Sequence, residues 1–379
     1  MNSIENKTIA IVGGGPGGLT LARLLQLKGA NVKVYERDFN KDIRVQGATL
    51  DLHEESGLAA LHQAGLMEAF RANYRPGADR MRITDKNAAV LFDDSFDTGD
   101  ISRPEIDRGP LRKILLDSLQ PDTVVWDSQF AAMEEKDGAW QLNFKNGTTA
   151  VADIVIAADG ANSKIRTYIT PIKPFYANVT IVEGAVYNSA TAVPKIHELL
   201  NGGKIFAIED AKTLIVSSKG DGSLVFYAGF NADENWATSC GINFNNKKEV
   251  TDWFMSEFSG WDAIWQELFK NAEPQFTVRP QYCMPLDQDW KTLPNLTMLG
   301  DAAHLMPPYA GEGVNMAMLD ALELSNCLTN ETFKNVHAAI EAYEKQMRTR
   351  ASETAKMTLE QTDSLHSATG LQNMLAMFG

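Results

Sequence analysis

The sequence predicts an α/β fold in which a parallel-sheet domain is interrupted by an antiparallel-sheet domain and closed by a long C-terminal helix. Three observations predict it. A strand, glycine-rich turn, helix and second strand follow one another over residues 7–35. Strand-like runs separated by Gly, Asp and Asn turns then fill residues 175–276. A buried apolar strand returns at residues 296–301, and from Phe333 the chain is Glu/Ala/Lys/Met-rich with helical periodicity.

The first unit switches from strand period to helix period and back within about 30 residues, which is the βαβ signature. KTIAIV (residues 7–12) is the first strand, residues 19–28 the helix and NVKVY (Asn31–Tyr35) the second strand. Residues 124–126, 140–144 and 154–157 read as further strands, the last a wholly apolar run suited to a buried parallel sheet. In the second region NVTIVEGAVY, KIFAIE, TLIVSS and SLVFYAGF alternate as an antiparallel sheet does, with one amphipathic helix near VTDWFMSEF. The nucleotide-type domain is therefore expected to be discontinuous, over residues 1–75, 101–172 and 280–330. Residues 76–100 and 173–279 are expected to form the sheet domain, and 331–379 the C-terminal helical segment.

Composition bounds the function. The 379 residues carry 44% apolar and 22% charged side chains, an ordinary globular balance. Lys and Arg number 35 against 49 Asp and Glu, a net charge of −14, and no basic stripe offsets it, which argues against nucleic acid. Three scattered cysteines, Cys240, Cys283 and Cys327, form no CxxC pair, so neither a metal site nor a redox disulfide is expected. The first strand begins within seven residues of the N-terminus and no run of about 18 apolar residues occurs. We expect a cytoplasmic protein that neither enters membranes nor binds nucleic acid, and that acts as a monomer.

The chemistry-bearing motifs are three. IVGGGPGGL contains G-x-G-x-x-G as Gly13, Gly15 and Gly18. The first glycine makes the tight turn, the second admits a pyrophosphate, and the third lets the helix pack on the strand with its N-terminus toward the anion. Glu36, closing the second strand, suits the ribose hydroxyls of an adenosine. DIVIAADGANSKIR (residues 153–166) follows a buried strand and carries Asp159 in an Asp-Gly pair. GDAAHLMPPYAGEGVN (residues 300–315) follows another, so Asp301 projects at the carboxyl end of a strand, where α/β sheets bind ligands. Pro307 and Pro308 stiffen the approach, Gly311 and Gly313 remove side chains, and Gly313 opens a helix whose dipole would stabilise negative charge on a planar ring.

Together these stretches resemble the class A flavoprotein monooxygenases, the para-hydroxybenzoate hydroxylase superfamily, over nearly the whole chain. VYERD (residues 34–38), TLDLH (49–53), EIDR (105–108) and GDAAHLMPP (300–308) are most similar to the tetracycline-inactivating branch. The resemblance implies a Rossmann-like FAD-binding domain, FAD as cofactor and NADPH or NADH as a transient reductant. Glu36 would hold the adenosine ribose, Asp301 the ribityl chain and Arg108 the flavin, with Asp159 serving both FAD and NAD(P)H. Arg44 and Asp51 would line the cleft, and Pro16, Arg37, Leu111, Gly313, Val314 and Asn315 would complete the cofactor contacts. Pro308, Ala310 and Gly311 would face both flavin and substrate.

In that branch a Gln, an Arg and a His hold the polar edge of the drug. By spacing those positions fall on Glu183, Lys204 and Val225, while Phe206, Phe226 and Tyr227 offer an apolar groove. The implied reaction is hydroxylation of an electron-rich aromatic or enolic molecule, such as a tetracycline, through a flavin C4a-hydroperoxide. Such chemistry obliges no catalytic side chain, and His304 and His53 are read as structural. The alternatives are a non-hydroxylating flavin reductase or dehydrogenase and a flavin-binding sensor without turnover. A flavin halogenase is disfavoured because no WxWxIP segment occurs.

Overall fold

The computed structural model describes residues 4–42, 47–94 and 103–378. Its centre is a five-stranded sheet in the order Leu296–Met298, Ile154–Ala157, Thr8–Val12, Asn31–Tyr35 and Val124–Val125, parallel throughout. Ile154–Ala157 and Leu296–Met298 are buried at every position, as unbroken apolar runs require. Three chain segments distant in sequence thus meet side by side with their carboxyl ends together. Pro16–Leu27, started by a proline in its first turn, packs against Gly313–Thr329. A three-stranded antiparallel sheet (Phe130–Lys136, Ala139–Phe144, Thr149–Ala152) also packs on this core, where Phe144 stacks on Tyr35 at 4.8 Å between ring centroids.

The second large sheet has seven strands, in the order Thr277–Cys283, Phe175–Val186, Leu224–Asn231, Lys212–Ser218, Lys204–Glu209, Met81–Thr84 and Val90–Asp93. All pairs are antiparallel except Lys204–Glu209 with Met81–Thr84. One face is apolar: Val182, Val186, Leu214, Val216, Leu224 and Ala228 pack there with helices Pro194–Leu200, Lys247–Glu257 and Ala263–Asn271. The sequence predicts one helix in this region, but the structure forms several, because short helices over the apolar face are set by the sheet they cover rather than by their own periodicity.

Strand alternation makes Phe226 a correction. It is fully buried on this helix-covered face, edge-on to Phe269 at 4.8 Å, and so it does not line a substrate groove. Glu183, Val225, Tyr227, Lys204 and Phe206 alternate with residues of that core and lie on the other face.

Helix Val336–Leu365, capped by Asn335, is about 45 Å long. Near its start Tyr343 donates to the Met298 carbonyl at 3.0 Å. Glu344, wholly buried, accepts from Trp290 (3.1 Å), Thr292 (2.7 Å) and Thr297 (2.8 Å). At its far end Leu365 packs with Ile83 and Ile208 of the seven-stranded sheet, and Asn231 donates to the His366 carbonyl at 3.0 Å. One helix therefore clamps both sheets. Among the described residues no helix is long and apolar enough to cross a membrane.

Two stability outcomes follow from this clamp. Glu344→Ala strands three buried donors and is expected to cost on the order of 3 kcal/mol in urea unfolding, with Glu344→Gln costing less because one acceptor oxygen survives. Burial lowers the His366 pKa from the ordinary 6.5 to about 4. The unfolded chain takes up a proton between those values that the native chain refuses, so this residue's contribution to stability falls as pH drops from about 6.5 toward about 4. His366→Gln should remove that component from the pH dependence of the unfolding midpoint.

Candidate functional site

The three motif turns emerge at the carboxyl ends of Thr8–Val12, Ile154–Ala157 and Leu296–Met298, which are adjacent in one sheet. In the first turn each glycine has a distinct steric reason. Gly13 has φ +115°, and a Cβ there would lie 2.1 Å from the Ala158 carbonyl oxygen. A Cβ on Gly18 would lie 2.2 Å from the Gly13 carbonyl oxygen. Gly15 is the opposite case: no described residue lies within 4 Å of its Cβ position. Gly15 is also the N-cap of Pro16–Leu27, with no side-chain cap and no acidic residue in the first turn. The helix N-terminus is left facing that space. Glu36, buried, accepts from the Gly14 amide at 2.5 Å and from the Asp38 amide at 3.0 Å, which holds its carboxylate against the turn, while Arg37 beside it is exposed.

Asp159 follows the second strand. One carboxylate oxygen accepts from the Lys164 amide at 3.0 Å; the other is buried without a hydrogen-bond partner among the described residues, and burial raises its pKa. Arg166, six-percent exposed, donates to the carbonyls of Ala302 (2.6 Å), Asp301 (2.7 Å) and Ala161 (3.2 Å). It binds the second turn to the third. Arg166 stands in the second motif without a sequence signal for this role, because its partners on the third turn lie some 135 positions away.

Asp301 begins the short helix Asp301–His304 after Gly300, whose φ of +59° turns the chain sharply. Its carboxyl is surrounded by protein yet remains solvent-accessible, the situation of a group lining a cleft. Burial raises its pKa, opposed by the charges of His304, Arg108 and Arg166. Arg108 is exposed, and its Nε donates to the Ala48 carbonyl at 3.2 Å. Residues 308–311 form a single 3₁₀ turn ending at Gly311 with φ +72°, where a Cβ would stand 3.2 Å from Asp51 Oδ1. Pro308 is exposed and Ala310 half-buried, so this turn borders the cleft. Gly313, with open space at its Cβ position, opens helix Gly313–Thr329, which has no acidic residue in its first turn and no side-chain cap.

Several expected contacts differ. Asn315 is fully buried and its amide is used inside the protein: Oδ1 accepts from the His53 amide (3.0 Å) and Ser56 (3.3 Å), and Nδ2 donates to the Asp51 carbonyl (2.9 Å). It fastens residues 51–56 to the helix start and leaves only its backbone for a ligand. Leu111 is wholly buried in the core, so its side chain is packing. Val314 packs half-buried against the same core. Arg44 lies outside the described residues.

The histidines carry structural bonds. His304 Nε2 lies 2.5 Å from Asp320, which also accepts from the Gly300 amide (2.9 Å) and Arg350 (2.6 Å). Burial alone would lower the His304 pKa, but the Asp320 carboxylate raises it above the usual value; Asp320 is in turn held low by His304 and Arg350 against its own burial. His53 bonds Asp51 at 3.1 Å, and that bond leads the causes raising its pKa.

The face of the seven-stranded sheet that bears Lys204 and Tyr227 meets Ala48, Thr49 and Glu105. Lys204 bonds the buried Glu105, whose carboxyl is raised by burial and drawn back by Lys204. Glu183 is paired with Arg279 at 2.6 Å. Tyr227 accepts the Ala48 amide at 3.0 Å, and burial pushes its pKa up to about 12. Thr49 meets Ser217 at 3.3 Å, directly across from the buried Val225, while Phe206 packs with Ile83 and Ile208. No group of His, Cys, Asp and Glu suited to a metal occurs among the described residues.

The profile of the family described as "FAD binding domain" matches residues 6–358. Monooxygenase asqM of Emericella nidulans is 28% identical over 416 residues, covering 92% of this chain and 93% of its own. The structure of Klebsiella pneumoniae HpxO complexed with FAD and uric acid superposes with a TM-score of 0.78 at 20% identity, covering 99% of this chain and 93% of that one. Tetracycline destructase Tet(51) gives a TM-score of 0.73 at 18% identity, covering 98% and 94%.

The steric contrast between two glycines is testable. Gly15→Ala should lower the stability of the FAD-free chain by no more than about 1 kcal/mol, the cost of a poorer N-cap, and weaken FAD binding about ten-fold, as followed by flavin fluorescence. Gly18→Ala should instead lower stability by about 2 kcal/mol or more, since its methyl meets backbone rather than ligand.

Proposed function

The chain belongs to the FAD binding domain family, and we propose that, as an FAD-dependent monooxygenase, it hydroxylates an electron-rich aromatic or enolic small molecule at the expense of NADPH or NADH. The observation that carries this reading is the set of ligand-ready groups gathered at three adjacent strand ends. Gly15 and Gly313 both have open space where a side chain would stand, at two uncapped helix N-termini. Asp159 keeps a buried oxygen without a hydrogen-bond partner among the described residues, and the Asp301 carboxyl is accessible near Arg108, Arg166 and His304. Open backbone at helix starts suits pyrophosphate and the electron-rich edge of a ring, and a carboxylate suits polyol hydroxyls. The residues fit FAD: Glu36 at the adenosine ribose, Gly13 to Gly18 at the pyrophosphate, Asp301 at the ribityl chain, and Arg108 with residues 308–313 at the ring.

Bound FAD supplies the redox chemistry, passing electrons from NAD(P)H to O₂ and one oxygen atom to the substrate. The protein orients and encloses. The N-terminus of Gly313–Thr329 stabilises negative charge beside it. Tyr227 uses its oxygen to accept from Ala48, which leaves its proton to donate toward a substrate oxygen. A pKa near 12 keeps that proton in place at neutral pH. Val225 and Phe206 supply apolar surface that excludes water.

A tetracycline is the first named substrate to try, because the motif set resembles that branch. Its polar contacts are altered: Glu183 and Lys204 are engaged in ion pairs and Val225 makes no hydrogen bond from its side chain. Uric acid and simple phenols therefore belong in the same panel.

The test is NADPH and NADH oxidation by the purified yellow protein with each compound. Stimulated consumption with a product one oxygen atom heavier is expected for at least one compound. Consumption without oxygen insertion would favour a reductase, and no stimulation at all a flavin-binding sensor. Tyr227→Phe should lower kcat/KM about ten-fold while FAD affinity stays unchanged.

A further inference from the structure

We propose that Tyr309 and His366 form a positioning latch, through which the tip of the long C-terminal helix holds the turn of residues 308–311 in place beside the flavin ring. The inference rests on the proposed monooxygenase reading for what the turn faces, and on geometry alone for the latch. His366 caps Val336–Leu365, and its Nδ1 lies 2.9 Å from the Thr362 carbonyl. A carbonyl only accepts, so Nδ1 carries the proton and Nε2 is an acceptor. Two hydroxyls approach that acceptor: Tyr309 Oη at 3.1 Å and Thr213 Oγ1 at 3.3 Å. The rings of Tyr309 and His366 meet edge-on, 4.9 Å between centroids.

Gly229 makes the meeting possible. A Cβ on that strand position would lie 2.5 Å from Thr213 Oγ1, 2.6 Å from Tyr309 Oη and 2.9 Å from His366 Nε2. The missing side chain on the sheet is thus filled by three polar groups from the sheet, the turn and the helix cap. The tautomer is held from behind by Thr362 and the cap itself by Asn231. Burial keeps the imidazole neutral, with its pKa down at about 4, so the acceptor persists through physiological pH. Among the described residues the turn 308–311 is closed by one backbone bond, Gly311 to the Pro308 carbonyl at 3.0 Å, and it packs against helix Val336–Leu365. Tyr309 is the side chain that ties it to the sheet.

His366 is buried behind Tyr309 and acts through it. Its loss should leave FAD reduction by NAD(P)H intact and spoil the placement of the turn, so that more reducing equivalents are spent without hydroxylation. Y309F keeps the ring and removes the donor, H366L removes the acceptor, and H366Q restores an acceptor oxygen.

The test uses the FAD-loaded full chain in two measurements. In hydrogen–deuterium exchange, Y309F and H366L should speed exchange in residues 306–312 about five-fold, with Thr8–Val12 unchanged and the double variant no worse than either single one. H366Q should recover part of the protection. In turnover, product formed per NAD(P)H consumed should fall about five-fold in H366L at unchanged reduction rate, an effect that general destabilisation would not produce. Unchanged exchange in both variants overturns the latch. Faster exchange with unaltered product yield overturns its positioning role. If the wild-type chain hydroxylates nothing, the proposed reaction fails, and exchange alone still decides whether the latch exists.

Discussion

Gly13 and the Ala158 carbonyl approach more closely than any side chain would permit, and the cleft depends on that approach. Because Thr8–Val12 and Ile154–Ala157 are neighbours in register, their two exit turns must pass each other at once. Gly13 allows this by lacking a Cβ and by adopting φ +115°. The same approach sets Asp159 beside the first glycine turn, and Arg166 then carries the connection across to Asp301. A methyl at one position would separate the walls of the whole site.

Charge within the site is distributed so that few carboxylates are left to themselves. Asp320 is answered by His304, Arg350 and a backbone amide, and Glu105 by Lys204. Such buried pairs seldom add net stability over an apolar core, but removing one partner is costly, and Asp320 in this way ties Gly300 and His304 of the third turn to Arg350. Asp159 and Asp301 stand apart from this pattern. Burial raises their pKa values as it does that of Glu105, but one Asp159 oxygen has no hydrogen-bond partner among the described residues and the Asp301 carboxyl stays accessible.

The long helix links these two kinds of order. At one end Glu344 and Tyr343 hold it to the parallel sheet beside the strand that leads to Asp301. At the other His366 meets the sheet that carries Lys204 and Tyr227. A single helix thereby fixes the spacing between the three motif turns and the face that bears Lys204 and Tyr227, with Ile340 and Met347 at one end and Leu365 at the other adding apolar contact.

The sequence by itself determined what is local. Glycine spacing, apolar runs and acidic residues at strand ends follow from backbone sterics and period within a few residues, so the three turns and their order were legible there. Resemblance added the cofactor. What only the tertiary structure decided is which side chains meet. Alternation says that Val225 and Phe226 face opposite ways, but not which face the helices cover; the answer put Phe226 in the aromatic core. Asn315 reads as a ligand contact until residues 51–56 are seen to occupy its amide. Arg166, Glu105 and His366 find their partners some 135, 99 and 57 positions away. Hydrogen bonds at such separations are created by the packing of sheets against one another, and no pattern within a short window of residues encodes them.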